Sequence, residues 1–178
     1  MRHHRPHRSR LTSAALAICA ALTAGCGAYG FTANQGAGRA PAGVNQVAVA
    51  TVAAPAHEGV DHGAITRSLV DEVAACSGRG AKWGAATSGE EVTLDCRAVS
   101  ILGDVSGRAI DARVTALCVA SLGEERAERS ASARAGAQSP NQGQAAARAQ
   151  LVSLALGDAS RRAGCGAIID LWNQLDKE

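Results

Sequence analysis

Ile110-Asp111-Ala112-Arg113-Val114-Thr115-Ala116-Leu117-Cys118-Val119-Ala120-Ser121-Leu122 is the stretch that decides the fold. Read with a helical period, Ile110, Val114, Leu117, Cys118 and Leu122 form one apolar stripe. Read as extended chain, Val114, Thr115 and Val119 suit a strand paired with the segment before it. The stripe favours a helix. On the strand reading, Gly103–Gly107 becomes a hairpin turn.

The neighbouring segments are clearer. Upstream, Glu91–Leu102 alternates: Val92, Leu94 and Cys96 point one way, and Val99 and Ile101 the other after a phase shift near Arg97. That predicts one or two strands. Ile65, Leu69, Val70 and Val73 mark one face of a helix running to Cys76, and Gly78 is placed to supply its left-handed cap. Arg79–Gly89 reads as a Gly-rich loop. Downstream, Gly123–Gln138 carries charge and no large apolar residue, which predicts a solvated helix or loop. Gln144–Leu156 reads as a helix ended by Gly157. Gly166–Leu175 reads as another, with Ile168, Leu171, Trp172 and Leu175 on one face. The sum is an α+β expectation: a small, helix-rich, disulfide-stabilised domain with a short β segment, on a flexible N-terminal tether.

The N-terminus gives the address. Arg2, Arg5, Arg8 and Arg10 occupy ten residues without an acid, and an apolar run from Leu11 to Leu22 follows, broken by Thr12 and Ser13. It closes on Leu22-Thr23-Ala24-Gly25-Cys26. These are the basic, apolar and small-residue parts of a secretory signal. The ending resembles the lipobox of bacterial lipoprotein precursors, with Thr23 where Leu is most common. The resemblance covers the first 26 residues only. It implies that Cys26 takes a diacylglyceryl group and becomes the first residue of the mature chain. The implied location is the cell membrane, lipid-anchored, facing the periplasm or the cell exterior. The apolar run is shorter than the roughly 20 residues that a spanning helix needs.

Three regions follow: residues 1–25 as cleaved signal, 26–58 as lipidated tether, and 59–178 as one globular domain. Within the tether, Val47-Ala48-Val49-Ala50-Thr51 is compatible with an edge strand. Cleavage removes four Arg and no acid, so the formal charge passes from +2 to −2. A nucleic-acid partner is therefore not expected. Four cysteines remain after Cys26: Cys76, Cys96, Cys118 and Cys165. In an exported chain their even number predicts two disulfides. Neighbours in sequence pair most easily, which favours Cys76–Cys96 with Cys118–Cys165.

Candidate chemistry is sparse. His57-Glu58-Gly59-Val60-Asp61-His62 groups two imidazoles and two carboxylates, a donor set for a metal-binding or sensing module through His57 and His62. The spacing is not H-E-x-x-H, and a solvated entry loop where tether meets domain is the simpler account. Lys82 and Trp83 in the Gly-rich loop form a candidate recognition patch, because Trp is enriched among residues that dominate binding energy. An envelope hydrolase would draw on Glu90, Glu91, Asp95, Asp104 or Asp111 as acids. No serine or cysteine nucleophile has a well-placed histidine, so no catalytic residue is assigned and no cofactor is expected. The leading expectation is a membrane-anchored binding or accessory protein whose partner is an envelope protein or a small ligand.

Overall fold

The computed structural model describes residues 40–55, 59–106, 109–138 and 144–177. They form strand β1 (Gln46–Val49), helix α1 (His62–Ser77) and strands β2 (Gly80–Trp83), β3 (Glu91–Ser106), β4 (Ala109–Leu122) and β5 (Glu125–Gln138). Helix α2 (Gln144–Leu175) follows. The five strands make one mixed sheet in the order β2-β1-β3-β4-β5. β1 runs parallel to β2 and β3, whereas β3, β4 and β5 form an antiparallel meander.

This overturns the helix-rich expectation. The deciding stretch is a strand: Ile110, Ala112, Val114, Ala116, Cys118 and Ala120 are all buried, on one face of β4. Ile110, Val114 and Cys118 are four residues apart, so they satisfy a helical stripe and an every-other-residue strand face alike. The intervening alanines are too small to reveal the period of two. Gly123–Gln138, expected as solvated helix or loop, supplies β5. Its Ala127 and Ala133 are buried against the helical layer, and polar residues occupy the other face. Gly103–Ser106, expected as a turn, continues β3, which breaks register once, between Ala98 and Ser100. The bulge stands near the phase shift expected at Arg97, but Ile101 does not turn to the other face as expected: it packs against the core on the side of Leu94 and Cys96, and Val99 is left exposed.

The stretch expected as a tether up to Glu58 contains β1, and β1 is an interior strand with partners on both sides. Val44, Val47, Val49 and Val52 are buried, so the packed domain begins well before residue 59. The anticipated tether from Cys26 to residue 39 lies outside the described residues.

α1 forms as its sequence indicates. The Asp61 carboxylate accepts from the Ala64 amide at 2.8 Å, Ile65, Leu69 and Val73 are buried, and Gly78 (φ +66°) closes the helix in the left-handed region. Thr66 Oγ1 accepts from Val52 N at 3.0 Å and donates to His62 O at 2.7 Å, which fastens the helix to the chain leaving β1. α2 is continuous through Gly157, Gly164 and Gly166, where the sequence suggested two helices. Gly164 is there for close packing: a Cβ would stand 3.0 Å from Leu69 Cδ1 and 3.3 Å from Leu94 Cδ2. Trp172 is fully buried and donates from Nε1 to Ser77 O at 3.2 Å.

Two disulfides join Cys76 to Cys165 and Cys96 to Cys118, with Cα–Cα separations of 6.0 and 4.1 Å. The pairing expected from chain proximity is therefore corrected. Cys96 and Cys118 are direct partners in the β3–β4 register, and Cys76 ends α1 where it meets α2.

Candidate functional site

Both helices pack on one face of the sheet. The opposite face carries Glu91, Thr93, Asp95 and Arg97 of β3. Beside them stand Asp111, Arg113, Thr115, Leu117, Val119 and Ser121 of β4, and Arg126, Glu128, Ser130, Ser132 and Arg134 of β5. None of these is buried. Strand alternation dictates this result: the same register that sends Leu94, Cys118 and Ala127 into the core sends their neighbours outward.

The open face is ordered by cross-strand pairs. Thr93 Oγ1 meets Ser121 Oγ at 2.7 Å, and Thr115 Oγ1 meets Ser132 Oγ at 2.7 Å. Arg134 Nε lies 2.7 and 2.8 Å from the two Asp111 carboxylate oxygens and holds that carboxyl below its ordinary pKa. Leu117 and Val119 are the large apolar side chains at the centre of β4 on this face. They form the floor of a cleft of about 570 Å³ with Asp95, Arg97 and Ser121. Thr51 and Ala53, leaving β1, form one wall, and Gly123, Glu124, Glu125 and Arg126, from the β4–β5 turn onward, form the other. Apolar Leu117 and Val119 set among acids and arginines suit a polypeptide or small ligand that presents both apolar and charged groups.

The residues expected to act are distributed as follows. Trp83 ends β2, 45% exposed. Its Nε1 donates to Thr51 Oγ1 at 3.0 Å, and the Arg67 guanidinium lies 5.9 Å from the ring centroid. Through Thr51 the indole adjoins the cleft wall. Lys82 instead ion-pairs with Glu91 at 2.6 Å, and its Nζ also donates to Thr87 Oγ1. Lys82 first, and the Thr87 amide next, lower the Glu91 pKa to about 2. These bonds pin the loop between β2 and β3.

His62 Nδ1 lies 2.9 Å from Val52 O at the start of α1. His57 and Glu58 lie outside the described residues, as does Cys26. Among the described residues no three His, Cys, Asp or Glu side chains are grouped to hold a metal ion. Of the acids considered for hydrolysis, Glu91 is held as a carboxylate, Asp111 is paired with Arg134, Glu90 accepts from Asn45 Nδ2 at 2.9 Å, and Asp95 lines the cleft. Apart from Asp111, the open-face residues of β4 and β5 escape sequence reasoning, because the sequence favours other elements for both strands. The polar alternation Thr93, Asp95, Arg97 was the available signal.

No family model and no curated protein matches the sequence. Solved structures do resemble the chain. A candidate lipoprotein from Caulobacter crescentus CB15 is 16% identical and has a TM-score of 0.40, over 72% of this chain and 92% of its own. PelC from Paraburkholderia phytofirmans, a dodecamer, is 13% identical at a TM-score of 0.38, over 71% and 93%. Lipoprotein GNA1162 from Neisseria meningitidis is 14% identical at a TM-score of 0.38, over 65% and 99%. Two of the three are named as lipoproteins. At these scores the likenesses carry no conclusion about activity. No helix among the described residues is long and apolar enough to cross a membrane.

Proposed function

We propose that this chain is a lipid-anchored protein of the bacterial cell envelope that binds a partner protein through the open face of its sheet. The carrying observation is the asymmetry of the two layers. One face is sealed by α1 and α2. The other presents the cleft between Thr51–Ala53 and Gly123–Arg126, with Leu117 and Val119 at its floor. Trp83 stands at its margin, anchored on Thr51, as an aromatic contact for the same partner.

The anchor reading rests on Leu22–Cys26 and on the basic and apolar runs before it. Each buried methylene contributes about 0.8 kcal/mol, and two or more acyl chains hold a protein stably at a bilayer. Replacement of Cys26 by Ser, followed by membrane fractionation and mass spectrometry of the mature chain, tests it. The expected result is loss of the lipid mass, with the protein moved to a soluble or an unprocessed pool. A processed, membrane-retained Cys26→Ser protein would overturn it.

A further inference from the structure

The outer edge of β5 has no neighbour among the described strands. It runs fourteen residues, pairs with β4 without a register break, and contains no proline. From Ser130 to Gln138 its only charge is Arg134. Long, regular edges are templates for another strand, and proteins commonly guard them with bulges, proline or clustered charge. Here those guards are missing over more than half of the strand.

The sequence of β5 is complementary to itself. Set it antiparallel to a second β5 with Ala131 opposite Ala131. Glu128 of each copy then faces Arg134 of the other, Ser130 faces Ser132, and Arg126 faces Gly136. On the helical face, Ala127 meets Ala135 and Arg129 meets Ala133. No like charges are opposed. A slide of two residues in one direction sets Arg126 against Arg134, and in the other it removes the Glu128–Arg134 pairs. Opposite charges across a strand pair stabilise it and like charges destabilise it, so the composition selects one register.

A second feature marks the same edge. A groove of about 520 Å³ lies between Arg126–Arg129 of β5 and Asp170, Asn173, Gln174 and Lys177 of α2. In the selected register Ala133, Ala135 and Ala137 of the second copy stand opposite Arg129, Ala127 and Glu125, and these small side chains add little bulk beside the Arg129–Asp170 ion pair that spans the groove. Glu128 would bring Arg134 a second carboxylate besides Asp111.

We infer that β5 is an isologous interface: two copies of this chain pair through β5 into a two-fold dimer with one continuous sheet. The inference stands on the strand edge and not on the cleft. Sedimentation and native mass spectrometry of the full mature chain in mild detergent test it. The wild-type protein is expected to be a dimer. Glu128→Arg and Arg134→Glu each turn two attractive pairs repulsive, raising the dissociation constant on the order of a hundredfold. Mixing these two variants restores opposite charges at both pairs and is expected to restore the dimer. A monomeric wild-type protein, a dimer indifferent to both substitutions, or a mixture of the two folded variants that stays monomeric would overturn the interface. Should Arg134→Glu not fold beside Asp111, Glu128→Arg alone carries the test, with Arg134→Gln expected to weaken the dimer less.

Discussion

Cys76, in the last turn of α1, is bonded to Cys165, in the C-terminal half of α2, across 89 residues of sequence. The bond encloses most of the sheet between its ends, since β2, β3, β4 and β5 all lie between the two cysteines. The Cys96–Cys118 bond closes a separation of 22 residues within one strand pair.

A cross-link restricts the unfolded chain more when its loop is longer. Chain entropy gives about 4–5 kcal/mol for the outer bond and about 3 kcal/mol for the inner one. Cys76→Ala with Cys165→Ala is expected to lower the unfolding free energy by most of that larger amount, and the urea midpoint with it. Equilibrium unfolding of the oxidised protein against this variant is the measurement.

The two tryptophans predict opposite outcomes. Trp172 is fully buried and hydrogen-bonded to Ser77 O, whereas Trp83 is 45% exposed. Trp172→Ala is expected to cost about 3–5 kcal/mol. Trp83→Ala should cost about 1 kcal/mol or less, with its effect appearing in partner binding instead. Denaturation midpoints of both variants separate the roles.

Two glycines of α2 make a similar contrast. A Cβ at Gly164 would meet Leu69 and Leu94 at 3.0 and 3.3 Å, and one at Gly157 would meet nothing within 4 Å. Gly164→Ala is expected to destabilise by about 1–3 kcal/mol through overpacking. Gly157→Ala is expected to stabilise by roughly 0.5–1 kcal/mol through helix propensity. Thermal melts of the pair give the sign of each.

Lys82 and the Thr87 amide hold the Glu91 pKa at about 2, below its ordinary 4.5. A lowered carboxylate pKa stabilises the fold fully above the unfolded value. That contribution fades as pH falls through the interval from 4.5 to about 2 and is absent below it. Wild type should therefore exceed Glu91→Gln in melting temperature at pH 7, and the gap should close between pH 4.5 and 2. A gap that persists unchanged to the acid end would contradict the Lys82–Glu91 assignment.

Legibility followed side-chain size. α1 was readable because Ile65, Leu69 and Val73 are large and its cap residues are specific. β3 was readable because Val92, Leu94 and Cys96 alternate. β4 and β5 were not, because Ala112, Ala116 and Ala120, and Ala127, Ala131 and Ala133, fill buried or half-buried strand positions with the residue of highest helix propensity. Tertiary pairing overrode that local preference. α2 was split in the reading because Gly157, Gly164 and Gly166 look like breakers, although Gly164 serves close packing. The cleft depended on β4 and β5 and was lost with them. Trp83, read from the sequence, stands beside its wall.

The central claim is that the open sheet face is the binding surface. Its most direct test is a photo-crosslinking residue placed in the host's own protein at Val119, on the cleft floor, and separately at Leu154, exposed on α2. The account predicts a discrete protein adduct from Val119, abolished by Leu117→Arg, and no matching adduct from Leu154. Adducts from Leu154 with none from Val119 would contradict it.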